Sequence, residues 1–223
     1  MTTINIWEEI HSSREWGKYP NEEFVRFIGK NYFFHNFDAR KNIRILEIGC
    51  GQGANLWFIA KEGFDVYGID ISQLAIQKTS RYLANLNLNA NLKVVDMKNT
   101  NYPDAFFDVI FDCAAIQHSS FTDHKVIYDE IFRLLKPNGR FWTFHVTKGC
   151  YGEGCGTKIE DNSFTDISEG PLSGKGVVCF PSDTEIKELQ IHSGFCIDSC
   201  ENLTRTFNNQ KNTYSHWIIE SRK

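Results

Sequence analysis

The residues best suited to chemistry in this chain are a glycine loop that opens on a glutamate, two acidic side chains spaced behind it, and two histidines further on. The loop is Glu47-Ile48-Gly49-Cys50-Gly51-Gln52-Gly53. Its glycines allow a tight turn and let a ligand approach bare backbone N–H groups. Asp70 follows 17 residues after Gly53, at the end of the next apolar run. A carboxylate there can accept from both hydroxyls of a ribose, with each charge-assisted bond contributing about 1.5–3 kcal/mol. Asp96 closes the third run in the same way. His118 and His145 come after the fourth run and near the end of the fifth. An imidazole with an ordinary pKa of about 6.5 can remove a proton near neutrality. His118 is therefore the first candidate for a general base, and His145 the second. Gln117 is placed to orient an acceptor.

The order of elements positions these groups. The first forty residues read as helix, with Trp7, Ile10 and Arg14 at helical spacing and Phe24, Phe27 and Ile28 on a second apolar face. Ile43 to Ile48 is a nearly continuous apolar run that suits a strand buried on both faces. Strand and helix then alternate. Asn55–Glu62 is helical, Asp65–Asp70 a strand and Ser72–Leu86 a helix capped by Ser72. Leu92–Asp96 and Phe107–Ala114 are strands, and Asp123–Leu135 is a helix. Pro137-Asn138-Gly139 is a turn, and Arg140–Val146 is the fifth strand. Lys148–Lys175 is glycine-rich with no period, and reads as a long loop or lid. Ser182–His192 is a helix whose Ser182 and Glu185 form a capping box. Phe195–Phe207 and Thr213–Glu220 form a hairpin. The predicted fold is α/β and Rossmann-like. It has a seven-stranded, mostly parallel sheet whose last strand is antiparallel, in three α/β/α layers. One domain covers 1–223, divided into a helical cap (1–40), a ligand-binding core (41–147), a lid (148–181), and a C-terminal helix with hairpin (182–223).

Bulk properties narrow the function classes. The chain has 223 residues, a net charge of −4 and 41% hydrophobic residues. The negative balance argues against a nucleic-acid surface. No apolar run is long enough to span a bilayer, and the first residues have neither the basic nor the apolar segment of a signal peptide. The expected location is the cytoplasm, where the seven cysteines stay reduced. An odd count cannot pair completely, and the Cys150/Cys155 and Cys196/Cys200 spacings do not match a zinc knuckle. No metal is expected. Oligomeric state has no signal.

The loop with Asp70 and Asp96 separates two ligand families only in part, because Gly49, Gly51 and Ala54 also satisfy a relaxed dinucleotide fingerprint. The wider set of motifs is more specific. Ile45 to Gly53 resembles the first motif of class I S-adenosylmethionine-dependent methyltransferases, and Val66-Tyr67-Gly68-Ile69-Asp70-Ile71-Ser72 resembles the second. Phe107 to Asp112 resembles their fourth-strand motif, and Leu134 to Arg140 the turn into the fifth strand. These matches run in family order across residues 43–147, and the reversed final strand also fits. Trp7 to Pro20 resembles, more weakly, the openings of small-molecule methyltransferases in bacterial surface-glycan pathways. A dehydrogenase shares the loop but not the set. A nucleic-acid methyltransferase would carry an Asn/Asp-Pro-Pro-aromatic loop where this chain has Asp112-Cys113-Ala114-Ala115. A protein that binds the cofactor without catalysis is the other class of function.

The resemblance implies roles. Glu47, Gly49, Cys50, Gly51 and Gly53 line the methionine part of S-adenosylmethionine. Asp70 holds the ribose, and Ile71 packs on the adenine. Asp96 accepts from the adenine amino group beside Met97. Asp112 and Cys113 lie beneath the sulfonium. Trp16 and Tyr19 cap it through cation–π contacts of about 0.5–2 kcal/mol, and Arg14 meets the cofactor carboxylate. The implied reaction is methyl transfer to a small polar acceptor. O-methylation of a sugar, or of a phosphorylated or nucleotide-linked precursor of a surface polysaccharide, comes first, and N-methylation of a small molecule is the alternative. Such a displacement is helped by alignment, which can supply roughly 7–11 kcal/mol, and for an alcohol by a base. His11, His35, His124, His192 and His216 read as peripheral. The lid carboxylates Glu153, Glu160, Asp161, Asp166 and Glu169 could meet hydroxyls, an amine or a metal, and Lys158 and Lys175 a phosphate.

Overall fold

The computed structural model describes residues 2–223. Three helices open the chain: α1 (Thr3–Ser13), α2 (Glu22–Tyr32) and the single turn α3 (Phe37–Arg40). Asn21 begins α2 by accepting from the N–H groups of Glu23 and Phe24, while Glu22 and Glu23 favour the positive end of its dipole. The core then alternates β1 (Arg44–Ile48), α4 (Leu56–Lys61), β2 (Asp65–Asp70), α5 (Gln73–Asn85), β3 (Asn91–Val94) and β4 (Phe107–Cys113). A 3-10 turn (Ile116–His118) leads to α6 (Phe121–Leu134) and β5 (Leu135–Val146). Three short strands follow, β6 (Thr157–Glu160), β7 (Ser163–Thr165) and β8 (Val178–Cys179), then α7 (Asp183–His192), β9 (Cys196–Phe207) and β10 (Asn212–Arg222).

The main sheet has the order β3-β2-β1-β4-β5-β10-β9. β10 alone runs against its neighbours, pairing antiparallel with both β5 and β9. The period-2 alternation of strand side chains explains the three layers. Ile45, Val109, Phe111 and Trp142 face α2 and α4, where Phe24 stacks on Phe111 with ring centres 3.9 Å apart. Leu46, Ile48, Ile110 and Phe141 face the other way, onto Ile127, Tyr128, Ile131 and Leu134 of α6. Strand order reverses between β1 and β4, which opens a crevice at their carboxyl ends.

Two expectations need correction. Pro137-Asn138-Gly139 is not a turn before the fifth strand but a bulge inside it, with Asn138 at φ +63° and the register against β4 shifting between Phe107 and Val109. Its backbone is held by the chain end, since Asn138 N–H donates to Lys223 O and Lys223 N–H to Gly139 O. The lid is not an irregular loop. β6, β7 and β8 form a small antiparallel sheet, and Ile167, Leu172, Val178 and Phe180 pack with Val146 and Cys150 into a core of their own. That apolar burial orders a segment whose glycine content suggested mobility.

Candidate functional site

The glycine loop is shaped by its neighbours on both sides. Gly49 has φ +64°, and a Cβ added there would run into the Cβ of Ala115. Gly51 has φ +51°, and its N–H donates to Asp70 Oδ2 at 2.8 Å. Ser72 N–H donates to the other oxygen at 2.9 Å. Asp70 is thereby fixed between the loop and the start of α5. Burial pushes its carboxyl up from the ordinary range, against the pull of these two N–H groups and of His11. Each oxygen keeps a further lone pair for a ligand hydroxyl.

Glu47, next to last in β1, is almost fully buried. Asn55 donates to its Oε1 at 2.6 Å, while Oε2 has no partner among the described residues. Burial drives the Glu47 carboxyl well above the ordinary range, with the charges of Asp112 and Asp70 adding to the effect. An oxygen buried without a donor costs about 1–3 kcal/mol, so this one calls for a ligand donor.

The N-terminal helices close over the crevice. Glu8 Oε1 accepts from Gln73 N–H at 2.6 Å and so anchors α1 on α5. Gln52 donates to Arg14 O at 2.9 Å and accepts from Trp16 N–H at 3.3 Å. Trp57 Nε1–H donates to Lys18 O at 2.6 Å. These ties hold Trp7, His11, Trp16 and Tyr19 around a cavity of about 530 Å³.

The far wall is the turn after β4. Asp112, with no exposed surface, accepts from Ala115 N–H (2.8 Å), Ile116 N–H (3.0 Å) and Thr143 Oγ1–H (2.8 Å). Burial still pushes its carboxyl up to about 6. Asp112 holds Ala114 at φ +64°, a conformation costing an alanine about 1–2 kcal/mol. That turn presents Gln117, His118, Ser119 and Ser120 to the cavity.

Of the expected ligand residues, Glu47, Gly49, Cys50, Gly51, Asp70, Ile71, Asp96, Met97, Cys113, Trp16 and Tyr19 line this one cavity, and His118 joins them. Four do not. Asp112 is spent on the turn beneath it. Gly53 faces Thr79, whose Cγ2 lies 2.8 Å from where a Cβ would stand. Arg14 is exposed at the end of α1. His145 is fully buried away from the cavity. Its Nδ1–H donates to Val146 O, and its Nε2 meets His124 Nε2 at 2.8 Å. His118 also departs from the expected base. Burial and the charge of Lys175 bring its pKa down to about 3.

Other residues were not singled out from the sequence. His11, read as peripheral, is buried in the cavity wall, 3.3 Å from Gln52 Nε2. It stands four residues after Trp7, so both share a helix face, and that spacing was the available signal. His124 is the buried partner of His145. Asn55, Lys98, Asp123, Lys175 and Tyr214 also line the cavity. The lid carboxylates do not. Glu153 accepts from Gly149 N–H, Glu160 from Thr122 N–H, Asp161 pairs with Lys158, and Glu169 accepts from Tyr151 Oη–H. Asp166 is likewise outside the cavity wall.

Comparison with known proteins agrees with this geometry. A family described as "Methyltransferase domain" matches residues 45–139. Sterol 24-C-methyltransferase of Aspergillus fumigatus is 30% identical over 128 residues, covering 55% of this chain and 33% of that protein. Phosphoethanolamine N-methyltransferase 1 of Arabidopsis thaliana is 31% identical over 159 residues, covering 60% and 32%. The chain thus spans about a third of the length of these curated relatives. A solved structure of a methyltransferase described as SAM-dependent, from Methanosarcina mazei, superimposes with a TM-score of 0.69. It is 23% identical, with 81% of this chain and 92% of that one covered. Residues 45–139, which hold most of the crevice, are thus similar in sequence to the methyltransferase domain family, and the sheet around them has the fold of that solved methyltransferase.

Proposed function

We propose that this chain transfers a methyl group from S-adenosylmethionine to a small-molecule acceptor. The observation that carries the reading is the spacing of three carboxylates along one cavity rim. Glu47 is the penultimate residue of β1, Asp70 ends β2, and Asp96 follows β3. The cofactor has three groups that suit this series: an amine, a ribose diol and an adenine amino group. Glu47 Oε2 would accept from the amine, since it has no other donor. Asp70 would take the diol. Asp96 would accept from the adenine, with Ile71 and Met97 against the ring. Backbone at Gly49, Cys50 and Gly51 would line the amino-acid part, Cys113 the wall near the transfer, and Trp16 and Tyr19 the opposite side. When bound, the cofactor supplies an electrophilic methyl on a cationic sulfur, and an acidic rim favours that charge before transfer more than after it.

The acceptor would enter beside His118, Ser119, Ser120 and Tyr214. Proton removal from an alcohol is most effective with a base whose pKa lies near the working pH, and His118, at about 3, is far below it. This disfavours the sugar hydroxyl expected from the sequence and favours an acceptor whose attacking atom needs no base in the cavity, such as an amine taken up in its unprotonated form after losing its proton to solvent. The names of the curated relatives, one a sterol C-methyltransferase and one a phosphoethanolamine N-methyltransferase, lend no support to a glycan precursor. The negative net charge supports a small acceptor over a nucleic acid. Among the described residues no helix is long and apolar enough to cross a membrane.

The test is transfer of labelled methyl from S-adenosylmethionine to panels of small amines and small alcohols. Label in an amine product is the expected result. Label in sugar alcohols alone would overturn the preference for an amine, and tight cofactor binding with no transfer to any panel member would favour a binding protein.

A further inference from the structure

Asp70, when ionised, can accept from a ribose hydroxyl but has no hydrogen to return. A hydroxyl both donates and accepts, so its lone pairs ask for a second partner. The cap supplies a candidate. His11, on α1, lines the same cavity as Asp70 and is buried in its wall. Its Cε1 lies 3.7 Å from where a Cβ on Gly51 would stand, and Gly51 N–H holds Asp70 Oδ2 at 2.8 Å. The His11 ring therefore sits over the turn that anchors Asp70.

The hydrogen-bond network fixes which nitrogen of His11 carries the hydrogen. Gln52 Oε1 accepts from Trp16 N–H at 3.3 Å, and Gln52 Nε2 donates to Arg14 O at 2.9 Å. Two backbone groups of opposite kind thus set the orientation of the amide. The same Nε2 stands 3.3 Å from His11 Nδ1. An amide nitrogen can only donate, so Nδ1 accepts, and in the neutral ring the hydrogen sits on Nε2. Burial lowers the pKa of the ring and favours that neutral form; the charge of Asp70 is the next strongest influence, ahead of Glu8 and Lys78. His11 Nε2 meets no partner among the described residues, yet it is not one of the atoms sealed away from solvent. Trp7 and Trp16 cover the ring from two sides, with centres 5.8 and 6.0 Å away. The polar atom left for a ligand is Nε2, with its hydrogen.

We propose that the Nε2–H of His11 donates to a hydroxyl oxygen of the cofactor ribose, completing from the cap the clamp that Asp70 begins from the sheet. The hydroxyl gives its hydrogen to Asp70 and takes one from His11, so one group satisfies both. His11 is a positioning residue and takes no part in moving the methyl group. Gln52 ties His11, Arg14 and Trp16 to the glycine loop, so the donor is in place only with α1 docked there. The cofactor's carboxylate also accepts and is the rival partner of this N–H. The proposal rests on the methyltransferase reading for the identity of the ligand.

The experiment is calorimetric titration of wild-type protein, H11F and H11Q with three ligands. They are S-adenosylhomocysteine, its 2′,3′-dideoxy analogue, and 5′-methylthioadenosine, which keeps the diol and lacks the amino-acid tail. Phenylalanine keeps a ring and removes the N–H, and a glutamine amide can restore a donor near Nε2. H11F should bind S-adenosylhomocysteine and methylthioadenosine about fivefold more weakly than wild-type protein, the worth of one hydrogen bond. H11Q should recover most of that loss. The dideoxy analogue should bind wild-type protein and H11F within about twofold of each other. An equal loss in H11F for all three ligands would reduce His11 to packing and overturn the proposal. A loss for S-adenosylhomocysteine and none for methylthioadenosine would assign the N–H to the carboxylate and overturn it too. Nitrogen-15 NMR of the histidine rings in wild-type protein gives a readout that needs no variant to bind ligand. The hydrogen of His11 is expected on Nε2, its resonance moving further with S-adenosylhomocysteine than with the dideoxy analogue; a hydrogen on Nδ1 would contradict the proposal. Unchanged S-adenosylhomocysteine affinity in H11F would sink the proposal alone. Absence of S-adenosylhomocysteine binding to wild-type protein would sink the methyltransferase reading and the proposal with it.

Discussion

Asn55 donates its side-chain N–H to Glu47 Oε1 at 2.6 Å and leaves Glu47 Oε2, buried, with no donor. Burial raises this carboxyl well above its ordinary range, so the free protein favours its protonated form. A ligand amine that binds as an ammonium favours the carboxylate. Binding should therefore release a proton, and affinity should rise with pH across the range in which Glu47 titrates in the free protein. Calorimetry of S-adenosylhomocysteine binding in two buffers of different ionisation enthalpy measures this directly. E47Q should abolish the proton release and weaken binding by about tenfold, or 1.4 kcal/mol. Equal heats in both buffers for the wild-type protein would remove Glu47 from this role.

Gly49 tests how tightly the loop is wedged under the β4 turn. G49A faces two penalties: a positive φ costing about 1–2 kcal/mol, and a collision with Ala115 Cβ. A115G removes the second penalty and not the first. Urea unfolding should show G49A strongly destabilised and the G49A/A115G pair partly recovered relative to the sum of the single changes. Strict additivity would mean that the two positions do not press on each other.

Acid should destabilise the fold well above the usual carboxylate range. His118 is brought down to about 3, His124 and His216 to about 4, and His145 well below its ordinary value, burial being the main cause in each. Above pH 6.5 these rings are neutral in both folded and unfolded chains. As pH falls from 6.5 toward 4, the unfolded chain takes up protons that the folded one refuses. Each ring then costs about 1.4 kcal/mol of stability per pH unit. Glu47, Asp70 and Asp112, with raised carboxyl pKa values, act in the opposite direction, but they are three against five, since burial lowers His11 as well. Scanning calorimetry should show Tm falling steadily from pH 7 to pH 5. A flat or rising Tm over that interval would contradict the burial of these rings as neutral groups.

The parts of this molecule that were legible in the sequence are those governed by local periodicity. β2 was predicted at Asp65–Asp70, where the structure has it, and the Ser182–Glu185 capping box is formed as its spacing required. The acidic series Glu47, Asp70, Asp96 is legible because each residue stands at or near the carboxyl end of a parallel strand of one sheet. The lid strands were not legible. β7 and β8 have three and two residues, too few to show an alternation, and they are ordered by a core drawn from distant segments. Asp112 shows a subtler gap. It stands where the fourth-strand motif places it, yet Thr143 and the backbone of Ala115 and Ile116 claim its oxygens, and no spacing announces that competition. The proton position on His11 depends on Gln52, 41 residues away in the glycine loop, so only the assembled network could reveal it.

The central claim is that an adenosyl group with an amino-acid tail lies along the Glu47–Asp70–Asp96 rim. Its most direct test is calorimetric titration of wild-type protein and D70A with S-adenosylhomocysteine, and of wild-type protein with NAD. The expected results are one S-adenosylhomocysteine per wild-type chain, at least tenfold weaker binding in D70A, and no NAD binding. Binding of NAD without S-adenosylhomocysteine, or an S-adenosylhomocysteine affinity unchanged in D70A, would contradict it.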